Sequence, residues 1–327
     1  MNHLSRRARA TAGARAAAGG AALGLALGLV LTLAACSGEE PVLPDVVDAG
    51  PPGATAPGSP APTSAPSQPS APATPGPDDV QYVALGDSYA SAPGVPDTDP
   101  ADGCFRSDRN YAHVLAETAG LFLTDATCSG ATSDDLISEQ VPLLGPDTDV
   151  VTVGTGGNDF DLFVTMLRSC LTRAATPGAD PDDAAAPAPT CSDVVDGEVA
   201  PLAGEIQAKM GAVLDAIADA SPEATVYVVG YPALLPETGS CPDLVPMSEP
   251  DYPVVTGVIR GLSDALQVEA EARDMTFVDL LAPSRGHDIC AEDPWVNGIR
   301  TGDDGTAPFH PFAVEQAAVA SLISDML

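Results

Sequence analysis

The pattern of hydrophobic and polar positions predicts short apolar runs that alternate with amphipathic segments. Five runs of four to seven residues have the length and the β-branched or aromatic content of strands. The predicted strands are residues 82–85, 121–127, 149–153, 225–229 and 275–280. The predicted helices, where apolar residues recur at helical spacing, are residues 110–119, 132–140, 159–171, 198–220, 250–273 and 313–327. Strands separated by helices in this way imply one parallel, doubly wound α/β sheet.

The first predicted strand ends abruptly at a glycine, and a serine lies two residues after it. Residues 82–85 are mostly apolar, as expected for a strand buried on both faces. Gly86 would allow a sharp turn at the carboxyl end, and Ser88 would then lie where open α/β sheets bind their ligands. Ser88 is therefore the candidate nucleophile. The alternative is that Asp87 or Ser88 merely caps the following helix, and these residues alone leave both interpretations open.

The first 36 residues have the pattern of an export signal. Arginines precede an apolar stretch, residues 21–33, which is too short to span a bilayer unaided. Residues 33–36, Leu-Ala-Ala-Cys, resemble a bacterial lipobox, and this resemblance implies that Cys36 becomes the lipidated first residue of the mature protein. A plain secretory peptide cleaved at small residues is the alternative. Whether export follows the general or the twin-arginine route stays open.

Residues 37–77 differ in composition from everything that follows. They contain twelve prolines, no aromatic residue and no apolar periodicity. Such a segment cannot bury enough apolar surface to offset its ordering entropy, so we expect a disordered, extended linker. The predicted organisation is a lipoprotein signal at residues 1–36, this linker, and one folded domain at residues 78–327.

The predicted mature protein is strongly acidic. All 46 acidic residues but only nine of the thirteen basic residues follow Cys36, which gives this part a net charge of −37. That charge argues against nucleic acid as a partner. An acidic surface also serves solubility outside the cell, so the charge identifies no other partner. We expect a monomer that binds the membrane only through a lipid on Cys36.

Six cysteines remain in the predicted domain once Cys36 is assigned to the lipobox. Six in an exported protein suggest three disulfides, for which fifteen pairings are possible. We favour the sequential set, because each bridge then closes a modest loop. Its pairs are Cys104 with Cys128, Cys170 with Cys191, and Cys241 with Cys290. The second pair would tie the base of a surface excursion at residues 174–191. No Cys-x-x-Cys pair or cysteine–histidine cluster occurs in the sequence, so we expect no metal site.

Four short motifs lie just beyond predicted strands or before the last predicted helix. They are Gly86-Asp87-Ser88, Cys128-Ser129-Gly130-Ala131-Thr132, Gly154-Thr155-Gly156-Gly157-Asn158-Asp159 and Phe309-His310-Pro311. Each motif alone is weak evidence for a function, since a glycine-rich stretch of this kind is more often only a turn. In this order they resemble the four blocks of the GDSL, or SGNH, hydrolases. The resemblance covers residues 80–327 and fits best the secreted actinobacterial esterase and lipase branch with three disulfides. The loop of residues 293–298 also resembles one near the site in that branch.

The resemblance implies an SGNH-type three-layer α/β/α fold with a five-stranded parallel sheet and a site that needs no cofactor. Ser88 would be the nucleophile and His310 its general base, because a hydroxyl is a poor nucleophile until a base takes its proton. The main-chain amides of Ser88 and Gly130, with the side-chain amide of Asn158, would form the oxyanion hole. The other two histidines of the domain lie in a helical pattern and in an irregular loop, which makes them poorer candidates.

One position departs from the family pattern. The family commonly has an aspartate three residues before the histidine, and Ala307 stands there in this chain. The resemblance to the actinobacterial branch implies that the main-chain carbonyl of Ala307 orients the imidazole. The alternative is that Asp303 or Asp304 folds back to complete a triad. Either acceptor would keep the correct tautomer, but a carbonyl gives the imidazolium less charge stabilisation.

The resemblance and the export signal together imply a lipid-anchored serine esterase or lipase on the outer face of a bacterial cell membrane. Lipid esters, or esters of short to medium acyl chains, are the first expectation for its substrate. The same site in a more open, polar cleft would instead deacetylate a polysaccharide. A third hypothesis is an inactive, envelope-associated binding lipoprotein. The missing aspartate supports it, whereas the presence of Ser88, Asn158 and His310 argues against it.

Overall fold

A computed structural model of the protein describes residue 76 and residues 79–171 and 190–327. The predicted export signal with Cys36, and the predicted linker apart from Gly76, lie outside the described residues. Most of the predicted excursion at residues 174–191 also lies outside them.

Seven strands and eight α-helices are present in the described residues. The strands are β1 (Gln81–Gly86), β2 (Thr98–Asp99), β3 (Arg106–Ser107), β4 (Phe122–Asp125), β5 (Val150–Gly154), β6 (Thr225–Val229) and β7 (Thr276–Val278). The helices are α1 (Ser88–Ser91), α2 (Tyr111–Ala119), α3 (Ser133–Asp135), α4 (Leu162–Leu171), α5 (Cys191–Val194), α6 (Ala203–Ala220), α7 (Tyr252–Glu271) and α8 (Ala313–Ser324). Five strands form a parallel sheet in the order β4-β1-β5-β6-β7, while β2 and β3 form a small antiparallel pair. The predicted five-stranded parallel sheet is confirmed.

Helices cover both faces of the large sheet, which explains why its strands are nearly continuous apolar runs. On one face, Val83 and Leu85 of β1 belong to a cluster that includes residues of α4, α6 and α7. On the other face, Tyr82 and Ala84 pack with residues of α2 and α8. Alternate side chains of a strand point to opposite faces, so the two clusters lie on either side of the sheet. The predicted three-layer α/β/α fold is confirmed.

The strand order reverses beside β1, because β4 lies on one side of it and β5 on the other. Ligands of open α/β sheets bind at such a reversal, outside the carboxyl ends of the strands. The register pairs Gly86 with Gly154, so β1 and β5 end side by side. The turns after these two strands carry the first and third motifs of the sequence.

Two of the predicted helices include all or part of a π-helix next to a 3₁₀ turn. The helix predicted at residues 198–220 contains the end of a π-helix, Val195–Val199, and then a 3₁₀ turn, Ala200–Leu202, before α6 begins. Pro201 lies in the first positions of that turn. Proline has no amide hydrogen and cannot continue the regular helical bonding, so the winding changes around it. The helix predicted at residues 132–140 changes in the same way. It ends in a π-helix, and the 3₁₀ turn that follows has Pro142 in its first positions.

The three disulfides are the predicted pairs. They join Cys104 to Cys128, Cys170 to Cys191 and Cys241 to Cys290. The first pair fixes the segment before β3 against the turn after β4, which carries the second motif. Because bridges of this kind restrict the unfolded chain, each contributes to stability.

Replacement of Leu214 by alanine is expected to destabilise the fold. Leu214 lies on α6 and is 0% exposed, so Leu214→Ala leaves a cavity. This should lower the free energy of unfolding by about 2–5 kcal/mol. Leu143→Ala is the matched control, because Leu143 is 55% exposed. Its free energy of unfolding should change by less than about 0.5 kcal/mol in the same denaturant titration, and equal losses at both sites would contradict this packing.

Candidate active site

Ser88 is the first residue of α1, directly after β1. Gly86 ends the strand with φ +150°, a conformation that other residues rarely adopt. A Cβ at Gly86 would lie 2.7 Å from a side-chain carbon of α1 and 3.0 Å from the carbonyl oxygen of Gly154, so no side chain fits. Asp87 caps α1 by accepting a hydrogen bond from the amide of Tyr89 at 2.9 Å. Asp87, which caps α1, and the half-buried Ser88 thus belong to one turn at the carboxyl edge of the sheet.

A buried glutamine holds the backbone of this turn. The amide of Gly86 donates to Oε1 of Gln140 at 2.8 Å, and Nε2 of Gln140 donates to the carbonyl of Gly86 at 3.0 Å. The amide of Cys128 donates to the same carbonyl at 3.0 Å. Both backbone groups of Gly86 are therefore satisfied at the point where the strand ends.

Asp87 lies buried beneath the turn and accepts hydrogen bonds on both carboxylate oxygens. Its Oδ2 accepts from the hydroxyl of Tyr231 at 2.6 Å, and its Oδ1 accepts from the amide of Tyr89. Burial raises the pKa of Asp87 to about 6, although these two hydrogen bonds oppose the rise. Asp87 is therefore ionised at neutral pH, but by a smaller margin than an exposed aspartate.

The turns after β4 and β5 bring Gly130 and Asn158 together. Gly130 is exposed and has φ +83°, which favours glycine. Nδ2 of Asn158 donates to the carbonyl of Ala131 at 3.1 Å, which holds the side-chain amide beside the Gly130 turn. That bond uses one of the two hydrogens on Nδ2. Gly130 and Asn158, two of the three residues predicted for the oxyanion hole, thus lie close together at the carboxyl edge of the sheet.

Asp159 anchors the turn that carries Asn158. Its carboxylate accepts from the amide of Ser133 at 2.8 Å and from the hydroxyl of Ser133 at 2.6 Å, so it joins the third motif to the residue that follows the second. Burial raises the pKa of Asp159, and the hydrogen bonds from Ser133 oppose this rise. Phe160 and Asp161 then have φ of +55° and +56°. Regular α-helix therefore begins only at α4 and not at residue 159, where the sequence predicted it.

The ring of His310, in the loop before α8, is oriented by a main-chain carbonyl. Its Nδ1 lies 2.7 Å from the carbonyl oxygen of Pro308. A carbonyl only accepts, so Nδ1 carries the hydrogen and Nε2 has the lone pair of a base. Desolvation of the half-buried ring lowers the pKa of His310, and the bond to Pro308 opposes this change. A lowered pKa favours the neutral imidazole, which is the form that accepts a proton.

The loop of residues 293–298, predicted to lie near the site, pairs with the histidine loop. The amide of Asn297 donates to the carbonyl of His310 at 2.9 Å. Nδ2 of Asn297 lies within hydrogen-bond distance of the carbonyl oxygens of Thr306 and Ala307, at 2.9 and 3.2 Å. Asn297 is 8% exposed, so this buried amide fixes the backbone immediately before His310.

The predicted acceptor for the imidazole, the carbonyl of Ala307, is wrong by one residue. That carbonyl instead accepts from Nδ2 of Asn297 and from the amide of His310, the latter at 3.2 Å. Phe309 has φ +59°, a left-handed turn that brings the ring of His310 back to the carbonyl of Pro308. The acceptor is thus a main-chain carbonyl, as predicted, but it belongs to the next residue.

The alternative acceptors, Asp303 and Asp304, are both exposed. Asp304 accepts from the amide of Thr306 at 3.0 Å, within its own loop. Among the described residues, no hydrogen bond or ion pair joins either aspartate to His310.

Tyr89, the residue after Ser88, connects the serine turn to the histidine loop. Its hydroxyl donates to the carbonyl of Phe309 at 2.8 Å, and its ring centroid lies 5.7 Å from that of His310. On α8, Nε2 of Gln316 donates to the carbonyl of Tyr89 at 3.0 Å. Sequence reasoning missed Tyr89 and Gln316, because these bonds join residues 220 and 227 positions apart and no periodic pattern indicates such pairs.

The two other histidines of the domain have separate partners. Nδ1 of His113, on α2, lies 3.0 Å from Oδ1 of Asn110. The ring of His287 stacks on Trp295 at a centroid distance of 4.9 Å, and its Nδ1 lies 2.9 Å from the carbonyl oxygen of Asp293. Within residues 79–171 and 190–327, no group of three or more histidine, cysteine, aspartate or glutamate side chains is placed to hold a metal ion.

Comparison with known proteins agrees with this arrangement. Lipase 2 of Streptomyces coelicolor is 35% identical over 265 residues, which cover 76% of this chain and 86% of that protein. A lipase of Streptomyces rimosus is 28% identical over 72% of this chain and 82% of its own length. Among solved structures, the phospholipase A1 of Streptomyces albidoflavus NA297 is similar with a TM-score of 0.60 at 24% identity, and covers 76% of this chain and 98% of that one. The extracellular lipase of S. rimosus has the same TM-score and coverage at 26% identity.

The match to a family as a whole covers the segment that holds all four motifs. Residues 84–313 match the GDSL-like lipase/acylhydrolase family. The predicted resemblance to the actinobacterial branch and the predicted class of enzyme, a carboxylic ester hydrolase, are confirmed. The chain therefore belongs to the GDSL-like lipase/acylhydrolase family.

Proposed function

We propose that this protein is an exported serine esterase or lipase in which Ser88 is the nucleophile and His310 the general base. The observation that supports the proposal most is the bond from Nδ1 of His310 to the carbonyl of Pro308, because it leaves Nε2 as a base. Tyr89 ties this loop to the turn of Ser88. Family membership supplies the reaction class, which is hydrolysis of a carboxylic ester.

The proposed reaction has two steps. As Oγ of Ser88 bonds to the ester carbonyl carbon, Nε2 of His310 takes the hydroxyl proton. The carbonyl oxygen becomes an oxyanion, which would accept hydrogen bonds from the amides of Ser88 and Gly130 and from Nδ2 of Asn158. The bond to the alcohol then breaks, and the alcohol leaves with the proton from His310. Water repeats the sequence on the acyl-enzyme: His310 takes a proton from water, and the acid leaves as Ser88 regains its proton.

We infer that the substrate is a lipid ester or another ester of a short to medium acyl chain. Proteins similar over 76% of this chain carry the names lipase and phospholipase A1, and these names support an acyl ester.

We propose that the domain is attached to the outer face of the cell membrane by a lipid on Cys36. Its three disulfides are typical of proteins in oxidising compartments, which supports a location outside the cytoplasm. None of the helices in the described part of the chain is long and apolar enough to cross a membrane. The two acyl chains of a diacylglycerol on one cysteine suffice for stable attachment.

Ser88→Ala and His310→Ala are each expected to remove nearly all hydrolysis of nitrophenyl esters. The double variant should be little slower than either, because members of one catalytic unit act non-additively. The assay runs from acetate to palmitate esters, with acetylated xylan beside them, and His113→Ala is a control histidine that should retain activity.

Additive losses would contradict a shared role for Ser88 and His310. A preference for acetylated xylan would replace the inferred substrate by a polysaccharide ester. Labelling with a fluorophosphonate should modify the wild type but not Ser88→Ala. Absence of both labelling and hydrolysis in the wild type would favour an inactive binding protein.

The rate at low pH should depend on the protonation of His310. Only the neutral imidazole accepts a proton, and desolvation lowers the pKa of His310, so kcat/KM should fall with a midpoint below 6.5, the ordinary histidine value. Asp87 has a pKa of about 6 and titrates in the same pH range. The pH profile of Asp87→Asn therefore shows how much of the change in kcat/KM is due to Asp87. Asp304→Asn should leave the midpoint unchanged. A midpoint above 6.5 that falls in Asp304→Asn would instead indicate a carboxylate paired with the ring.

Cys36→Ser is expected to release the protein from the membrane or to leave it unprocessed. A thioether-linked diacylglycerol needs the cysteine sulfur, so the variant cannot carry the anchor. Partitioning into detergent, followed by mass spectrometry of the amino terminus, measures the result in both proteins. An unmodified wild-type amino terminus downstream of Cys36 would count against the anchor.

A further inference from the structure

Tyr231 joins the two turns that carry the proposed nucleophile and the proposed oxyanion donor. It lies two positions beyond β6 and is 2% exposed. Its hydroxyl donates to Oδ2 of Asp87 at 2.6 Å and accepts from the amide of Gly157 at 3.0 Å. Asp87 directly precedes Ser88, and Gly157 directly precedes Asn158. One oxygen atom is therefore bonded to the neighbours of two groups that act on the same ester carbonyl.

Chemistry determines the direction of each bond at this hydroxyl. A backbone amide only donates and an ionised carboxylate only accepts, so the hydrogen of Tyr231 points to Asp87 and a lone pair points to Gly157. Hydrogen bonds in such a chain strengthen one another. Both partners are buried. Loss of the hydroxyl would therefore leave a buried carboxylate and a buried amide each short of one partner.

Neighbouring aromatic rings fix the position of the Tyr231 ring. Its centroid lies 5.3 Å from that of Tyr89 at an interplanar angle of 80°, and 5.4 Å from that of Phe163 at 86°. Aromatic rings favour this edge-to-face geometry. The amide of Phe163 also donates to the carbonyl of Gly157 at 3.1 Å. The hydroxyl of Tyr231 thus has little freedom to move. Its position determines the distance between the two turns to which it is bonded.

We propose that Tyr231 is a positioning residue that sets the distance between Ser88 and Asn158, an inference that rests on the proposed function. β1 and β5 pair only as far as Gly86 and Gly154, so no bond of the sheet fixes the two turns beyond that point. Reacting groups must be held within about 0.5 Å of the productive geometry. Tyr231 supplies this constraint through its two bonded partners and does not itself act on the substrate.

Tyr231→Phe removes the hydroxyl and retains the ring. With nitrophenyl butyrate as substrate, kcat falls roughly 10- to 100-fold while KM stays within about twofold, because the displaced donor acts mainly in the transition state. Tyr227→Phe is the matched control. Tyr227 is a buried tyrosine of β6 whose hydroxyl donates to the carbonyl of Met326 at 3.1 Å. Its loss should change kcat by less than about twofold, since it contacts neither turn.

A double-variant cycle separates positioning from a general loss of stability. Asn158→Ala alone should lower kcat roughly 10²- to 10³-fold. Adding Tyr231→Phe to Asn158→Ala should then cost less than about threefold more, because the amide that Tyr231 positions is already absent. Equal losses in both backgrounds, a change confined to KM, or an unchanged kcat in Tyr231→Phe would each overturn the proposal. If Tyr231→Phe does not fold, Asp87→Asn tests the same link from its other end, with the same coupling to Asn158→Ala.

Ser88→Ala distinguishes failure of this inference from failure of the proposed function. If Ser88→Ala hydrolyses the ester as fast as the wild type, the proposed function is wrong and the positioning role falls with it. If Ser88→Ala is inactive and Tyr231→Phe has a normal kcat, only the positioning role is wrong.

Discussion

The close approach of two strand ends, Gly86 on β1 and Gly154 on β5, is the constraint on which the site depends. A Cβ at Gly86 would lie 3.0 Å from the carbonyl oxygen of Gly154, closer than such atoms pack. Only glycine fits there, and its φ of +150° allows the sharp turn after β1, so that Ser88 begins a helix at once. Because the strand order reverses beside β1, the turns after β1 and β5 open on the same edge of the sheet. The proposed nucleophile and the proposed oxyanion donor come from these two turns.

Beyond the strand ends the regular bonds of the sheet stop, and single polar side chains hold the backbone. Gln140 binds both backbone groups of Gly86, and Nδ2 of Asn297 bonds carbonyls of the loop before His310. Asp159 binds the amide that begins α3. All three side chains are buried, and a buried polar group that loses its partners costs free energy. Each loop around the site is thus kept in one conformation by a buried side chain from another segment of the chain.

The layers of the fold were predictable because apolar runs and helical spacing indicate burial locally. The cysteine pairs were predictable because the sequential set closes short loops. The acceptor for His310 was not, since the choice between Ala307 and Pro308 depends on the left-handed turn at Phe309, which no spacing rule indicates. Tyr231 and Gln140 were missed for another reason. They bond to residues 144 and 54 positions away, and such pairs exist only once the strands are assembled.

The main-chain acceptor for His310 affects how genetic experiments would describe the site. Every amino acid supplies a carbonyl oxygen at position 308, so a change of side chain there leaves the acceptor atom in the protein. A saturation library scored for activity would identify Ser88 and His310 but no carboxylate side chain that orients the imidazole. The orientation of His310 depends on the backbone conformation at Phe309 and on the hydrogen bonds of Asn297, so no single side chain determines it. Natural selection therefore acts on this part of the proposed machinery only through the residues that shape the loop.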